Sequence, residues 1–109
     1  MSDREITVRA LADKLRAGAP IYLVDVRQEW EHELVALPET VLVPLPELPE
    51  RLDEIVPPPG SLTVVYCHHG VRSLSGAAIL AAAGITDVVS LAGGIDAWAR
   101  EIERSMRRY

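Results

Sequence analysis

The chain has 109 residues, a net charge of -5, 49% hydrophobic residues, 25% charged residues and a single cysteine. This length excludes two full-sized domains, so we expect one domain over residues 1–109. The acidic balance argues against nucleic acid as a main partner, and the apolar runs are too short to span a membrane. A lone cysteine excludes an internal disulfide, and residues 1–5 contain no apolar signal-peptide segment, which together predict a cytoplasmic protein.

The sequence pattern predicts helices that alternate with strands. Thr7 can cap a first helix in which Val8 and Leu15 belong to one apolar stripe, and Gly18 can end it. The later predicted elements, in chain order, are a strand over 21–26, a short helix over 28–34, a strand over 41–43, a short helix over 47–55, a strand over 62–66, a helix over 75–83, a strand over 88–91 and a helix from 95 to about 103. Because these strands are apolar throughout, we expect an α/β fold with a parallel sheet that helices cover on both faces.

The loop from Cys67 to Ser73 is the most informative segment. Its cysteine follows a predicted strand and precedes a helix, a position where backbone N–H groups and the helix dipole favour an anion. Gly70 gives the loop the freedom to turn its N–H groups toward the sulfur, and Arg72 adds a fixed charge with a fork of donors suited to an oxyanion. Ser73 can cap the helix through its hydroxyl. These residues predict Cys67 as a nucleophilic thiolate.

Two other uses of Cys67 are less consistent with its neighbours. A buried cysteine at a strand end is common, but an apolar core does not favour His68, His69 and Arg72 beside it. A metal site is disfavoured because three adjacent side chains do not easily converge on one ion, and His32 is the only other histidine. We therefore expect no metal and no cofactor, with both histidines of the loop lining it.

A second polar group follows the strand predicted over 21–26. Asp25 and Arg27 lie at its carboxyl end, and the carboxyl ends of parallel strands share one edge of a sheet, so both residues could approach Cys67. We predict a supporting ion-pair or hydrogen-bond role for them. Elsewhere, acidic residues crowd 29–54 and arginines collect over 100–108, which is typical of solvated surface or of a face that docks a charged protein.

In their order and spacing, these motifs resemble the rhodanese-like sulfurtransferase domain over nearly the whole chain. The matching segments are residues 23–27 with 29–31, 43–45, 65–73, 82–85, 89–98 and 108–109. The resemblance implies the rhodanese-like three-layer fold, and it extends to rhodanese domains found with ubiquitin-activating-like adenylyltransferases. It also implies packing and capping roles for Asp96 and Trp98. One segment, 34–40, departs from the family pattern because it lacks the usual histidine and glycine.

The resemblance implies a sulfurtransferase in which Cys67 takes sulfur from thiosulfate or a persulfide donor, becomes a persulfide, and passes the sulfur to a thiophilic acceptor. The acceptor could be cyanide, a small thiol or the thiol of a sulfur-carrier protein. The residues that would cradle the persulfide are His68, His69, Gly70, Val71, Arg72 and Ser73, with Asp25 and Arg27 supporting them. Related phosphatases place five residues between Cys and Arg, whereas four lie here, which suits a sulfur atom better than a phosphate. The alternatives are a persulfide carrier and a protein-binding module without turnover.

Overall fold

Five short strands form one sheet in a computed structural model that describes residues 4–109. The strands are β1 Glu5–Ile6, β2 Ile21–Asp25, β3 Thr40–Leu42, β4 Leu62–Tyr66 and β5 Val88–Leu91. They lie in the order β1-β5-β4-β2-β3, and every neighbouring pair is parallel. The predicted α/β fold with a parallel sheet is confirmed, whereas the two-residue strand β1 was not predicted. The prediction about the N-terminus rests partly on residues 1–3, which lie outside the described range.

Helices connect the strands. They are α1 Val8–Arg16, α2 Glu29–Leu34, α3 Arg72–Ala82 and α4 Gly94–Glu101, with 3₁₀ segments at Leu45–Glu50 and Leu52–Glu54. Thr7 caps α1 as predicted, since its Oγ1 accepts a hydrogen bond of 3.1 Å from the Ala10 N–H. The single helix predicted over 47–55 is wrong, because the segment forms two tighter turns. Pro49 lies inside the first of them, where it provides no backbone donor.

Apolar side chains fill both faces of the sheet. On one face Leu23 and Val64 pack with residues of α1 and α4, including Leu11 and Trp98. On the other face the next residues along the strands, Val24 and Val65, pack with Leu48, Ala77 and Leu80 from the 3₁₀ segment and α3. Successive strand residues point to opposite faces, so burial on both sides explains why these strands read as continuous apolar runs.

The connections diverge at the carboxyl edge of the sheet between β2 and β4. From β2 the chain passes through α2 to β3 on one side, and from β4 it passes through α3 to β5 on the other. In register, Asp25 of β2 lies opposite Tyr66 of β4, so the residues that follow each strand emerge side by side. Open parallel sheets bind ligands at such a reversal of connection.

The atypical segment 34–40 closes one flank of this edge. Leu37 is buried in the same apolar cluster as Tyr66, and its N–H donates to the Tyr66 hydroxyl over 3.2 Å. Leu37 thus anchors this connection in the core. Glu39 has a φ of 56°, in the left-handed region that glycine favours.

Within residues 4–109, no helix combines the length and the apolar character that crossing a bilayer requires.

Candidate active site

Cys67 lies at the carboxyl end of the central strand β4 and is a free thiol that is 1% exposed. The first turn of α4 fixes the backbone around it: the Ile95 N–H donates to the Cys67 carbonyl over 2.9 Å, and the Asp96 N–H donates to the His68 carbonyl over 3.0 Å. These two bonds satisfy donors that a helix N-terminus otherwise leaves unpaired. Gly94 is required for this docking, because a Cβ there would lie 2.5 Å from both carbonyl oxygens.

Two backbone donors and one acceptor surround the sulfur of Cys67. The Gly70 N–H donates to Sγ over 3.2 Å and the Ser73 N–H over 3.3 Å, while the Cys67 thiol donates to the Ser73 hydroxyl oxygen over 3.4 Å. Gly70 has a φ of 92°, and a Cβ on it would come within 2.9 Å of the Gly93 nitrogen, so only glycine fits the curl. N–H groups aimed at a sulfur at the N-terminus of an eleven-residue helix favour negative charge on it.

Ser73 does not cap α3 through its side chain, so that prediction is wrong. The helix begins at Arg72, three residues earlier than predicted, and its N-cap residue Val71 makes no side-chain cap bond. Ser73 therefore lies inside the first turn, where its hydroxyl is buried between Cys67 and Ser90. The two serine hydroxyl oxygens are 2.7 Å apart. Ser90 was missed from the sequence, since only the parallel pairing of β4 with β5 brings it under the loop.

The guanidinium of Arg72 is bound to Glu31 of α2. Its two terminal nitrogens donate to the two carboxylate oxygens over 2.7 and 2.9 Å, and the Glu31 side chain is 5% exposed. These bonds from Arg72 lower the pKa of Glu31 to about 2, and the same bonds raise the pKa of Arg72. The fork of donors expected to face an oxyanion is thus occupied by a carboxylate, and the predicted substrate role of Arg72 stays a prediction.

Asp25 and Arg27 form a fully buried ion pair beside the loop. The Arg27 Nη2 lies 2.7 Å from an Asp25 carboxylate oxygen, and the backbone N–H of Arg27 donates to the same carboxylate over 2.9 Å. Arg27 also donates to the Val35 carbonyl over 2.6 Å, and the His32 Nδ1 lies 2.9 Å from Asp25. Each group of the pair therefore has several partners, as buried charges require. This geometry fits the supporting role expected for both residues.

Tyr109 connects these two ion pairs to the loop. Its hydroxyl accepts a hydrogen bond of 2.8 Å from Arg27 and donates one of 2.8 Å to Glu31. Its ring stacks on His68 with centroids 3.8 Å apart and meets Trp30 edge to face at 5.8 Å. Tyr109 was recognised only as part of the family resemblance. Contacts across 78 and 82 positions leave no periodic signal in a sequence.

The two loop histidines differ in environment. His68 is partly buried between Tyr109 and His69, and burial lowers its pKa, which keeps its ring neutral near neutral pH. His69 is exposed. The nitrogen and oxygen ligand atoms of His68, His69 and Asp96 lie within 4.8 Å of one another. However, Asp96 already accepts hydrogen bonds from Arg100 and Arg108, and these positive charges oppose a cation there.

Comparison with known proteins gives consistent similarities. The profile of the rhodanese-like domain matches residues 7–101. A probable adenylyltransferase/sulfurtransferase, MoeZ of Mycobacterium tuberculosis, is 38% identical over 106 residues, which cover 95% of this chain and 26% of that protein. A sulfurtransferase of Allochromatium vinosum is 35% identical over 96 residues, 88% of either chain. The crystal structure of a rhodanese-like domain protein from Staphylococcus aureus superposes with a TM-score of 0.79 at 30% identity and covers 97% of this chain and 98% of that one. The chain thus spans about a quarter of MoeZ.

Proposed function

Because the chain belongs to the rhodanese-like domain family, we propose that it is a sulfurtransferase in which Cys67 carries sulfane sulfur as a persulfide. The observation that carries this proposal is the set of donors around one buried sulfur. The Gly70 and Ser73 backbone N–H groups donate to Sγ over 3.2 and 3.3 Å, and the Ser73 hydroxyl oxygen lies 3.4 Å from it. Preorganised donors of this kind stabilise charge where it develops in a reaction.

The reaction proceeds in two displacements at sulfur. In the first, the Cys67 thiolate attacks the outer sulfur of the donor, an S–S bond forms to Cys67, and the donor's own S–S bond breaks with its electron pair leaving on sulfite or on a thiolate. In the second, an acceptor thiolate attacks the outer sulfur of the Cys67 persulfide and regenerates the Cys67 thiolate. The acceptor class is a small thiol or the thiol of a carrier protein.

The exposed rim of the loop supports access by a large acceptor. Val71 of the loop is 74% exposed, and Leu74 in the first turn of α3 is 42% exposed. Trp30 of α2 is 62% exposed and meets the ring of Tyr109, which stacks on His68. Isolated exposed apolar residues are ordinary, but three of them near one reactive loop suit contact with another molecule. A carrier protein that presents a thiol would contact this rim while Cys67 transfers its sulfur.

The test is direct detection of the persulfide. The purified protein is incubated with thiosulfate or with a small hydropersulfide, and intact mass spectrometry follows the gain of one sulfur atom. We expect this gain in the wild type and none in Cys67→Ser, because the serine side chain has a similar size but its hydroxyl is a far weaker nucleophile. Release of the sulfur to an added thiol over many cycles indicates an enzyme, whereas a single release indicates a carrier. Failure of every donor to add sulfur would contradict the proposal.

A further inference from the structure

Arg72 is the only arginine or lysine between Cys67 and Ser73, and its charge is compensated. Glu31 holds both terminal nitrogens of its guanidinium at 2.7 and 2.9 Å. Glu31 is itself fixed by two further donors, the Gln28 N–H at 3.0 Å and the Tyr109 hydroxyl at 2.8 Å. A carboxylate held by four hydrogen bonds is not free to turn away when a second anion approaches Arg72.

Three further arginines near the loop are also paired. On the α4 side, Arg100 and Arg108 are both bound to Asp96, which lies next to His69. On the β2 side, Arg27 is buried on Asp25. The ring of His68 is neutral near neutral pH because burial lowers its pKa. In the described part of the chain, the loop thus offers an incoming donor N–H dipoles and paired charges.

Sulfur donors differ in the charge of the group that leaves. Attack of the Cys67 thiolate on thiosulfate, a dianion, forms the anionic persulfide and expels sulfite, which carries two negative charges. Attack on a hydropersulfide, R–S–SH, forms Cys67–S–SH and expels the thiolate R–S⁻, which carries one charge and can take a proton from water. The first reaction needs an uncompensated cation beside the loop far more than the second does.

We propose that the Glu31–Arg72 pair makes Cys67 select organic hydropersulfides over thiosulfate, with Glu31 as the positioning residue that sets this preference through Arg72. The inference rests on the proposed function, since it concerns the donor of the same persulfide. The exposed apolar side chain of Val71, within the loop, suits the organic group of such a donor. Substitution of Glu31 by an uncharged residue frees the guanidinium and shifts the preference toward the dianion.

The experiment measures the single-turnover rate of persulfide formation on Cys67, from samples quenched at successive times and analysed by mass spectrometry. Two donors are compared: thiosulfate, and the hydropersulfide of 2-mercaptoethanol, which carries no carboxylate or sulfonate. Each rate is divided by the rate at which the same donor reacts with free cysteine, so that intrinsic reactivity cancels. The proteins are the wild type, Glu31→Gln and the matched control Glu29→Gln, which removes the same charge from an exposed position of α2 without touching Arg72.

We expect the wild type to favour the hydropersulfide, and Glu31→Gln to raise thiosulfate loading relative to the hydropersulfide by about tenfold, which corresponds to about 1.4 kcal/mol. Glu29→Gln should keep the wild-type ratio. A merely structural role of Glu31 would change both rates together and leave their ratio unchanged.

Equal or faster normalised loading of the wild type by thiosulfate overturns the inference, and this measurement needs no variant to fold. An unchanged donor ratio in folded Glu31→Gln overturns it as well. These results leave sulfur transfer through Cys67 intact, whereas no loading by either donor contradicts the proposed function and the inference with it.

Discussion

The Glu31–Arg72 ion pair predicts a stability difference that depends on pH. The carboxyl of Glu31 has a pKa of about 2, against an ordinary value of 4.5, because Arg72 donates two hydrogen bonds to it. A group with a depressed folded-state pKa stabilises the fold fully above its unfolded-state value and loses that contribution as the pH falls through its folded-state value. From this shift, ionised Glu31 contributes about 3 kcal/mol to the free energy of unfolding at pH 7.

The substitution Glu31→Gln removes this contribution while it keeps an acceptor for the Gln28 N–H. Urea unfolding followed by circular dichroism should show the variant less stable by about 3 kcal/mol at pH 7. The difference should stay constant down to about pH 4.5 and shrink to about 2 kcal/mol at pH 3.5, because acid then protonates Glu31 in the unfolded wild type.

The control is Glu29→Gln, on the exposed side of the same helix, which should differ little from the wild type at either pH. Other carboxylates titrate in both proteins, so they cancel in the difference between wild type and variant. A difference between wild type and Glu31→Gln that is the same at pH 7 and pH 3.5 would refute the argument, because it would mean that the ionisation of Glu31 is not coupled to folding.

Two further substitutions test how the loop is held. Gly94→Ala should displace the Cys67 loop and cost about 2 kcal/mol of stability, because its Cβ would lie 2.5 Å from two carbonyl oxygens. The control Gly84→Ala, also at positive φ but in open space, should keep full persulfide loading. Equal loading of the two variants would contradict this prediction. Tyr109→Phe keeps the ring on His68 but removes hydrogen bonds to two charged groups, so urea unfolding should show a loss of about 2 kcal/mol, and a change below about 0.5 kcal/mol would show that these bonds contribute little.

The architecture follows from local pattern and could be predicted to a large extent. Strands β2 and β4 read as apolar runs because both of their faces are buried, and their alternation with helices leaves few parallel arrangements. Two features were beyond such reasoning. The strand β1 has two residues, too few for periodicity, and it exists because Ile6 packs in the core while its strand pairs with β5. The first 3₁₀ segment, Leu45–Glu50, contains two prolines, whose effect on turn type the apolar pattern does not reveal.

The candidate site likewise has features that the sequence predicts and features that it does not. The curl of the loop around Cys67 is local: Gly70 and the helix that follows are adjacent in sequence, so the donors on the sulfur could be anticipated. The partners of Arg72 and Ser73 could not, because Glu31 and Ser90 reach them from α2 and β5 only after the sheet has formed. The sequence therefore predicts where a charge sits on the loop but not whether a second charge neutralises it.

Whether the charge of the loop arginine is free or neutralised affects which sulfur donor such a loop selects. A guanidinium near a nucleophile is usually interpreted as a binding site for an anion, but a guanidinium that stabilises the fold through a buried carboxylate is less available for that role. In this chain the same two hydrogen bonds should supply both effects, so Glu31→Gln must lose stability and gain thiosulfate loading together. A Glu31→Gln variant that lost stability without gaining thiosulfate loading would show that the pairing with Glu31 did not limit the use of Arg72 by an anionic donor. The two measurements on one protein thus separate a structural arginine from a substrate-binding one.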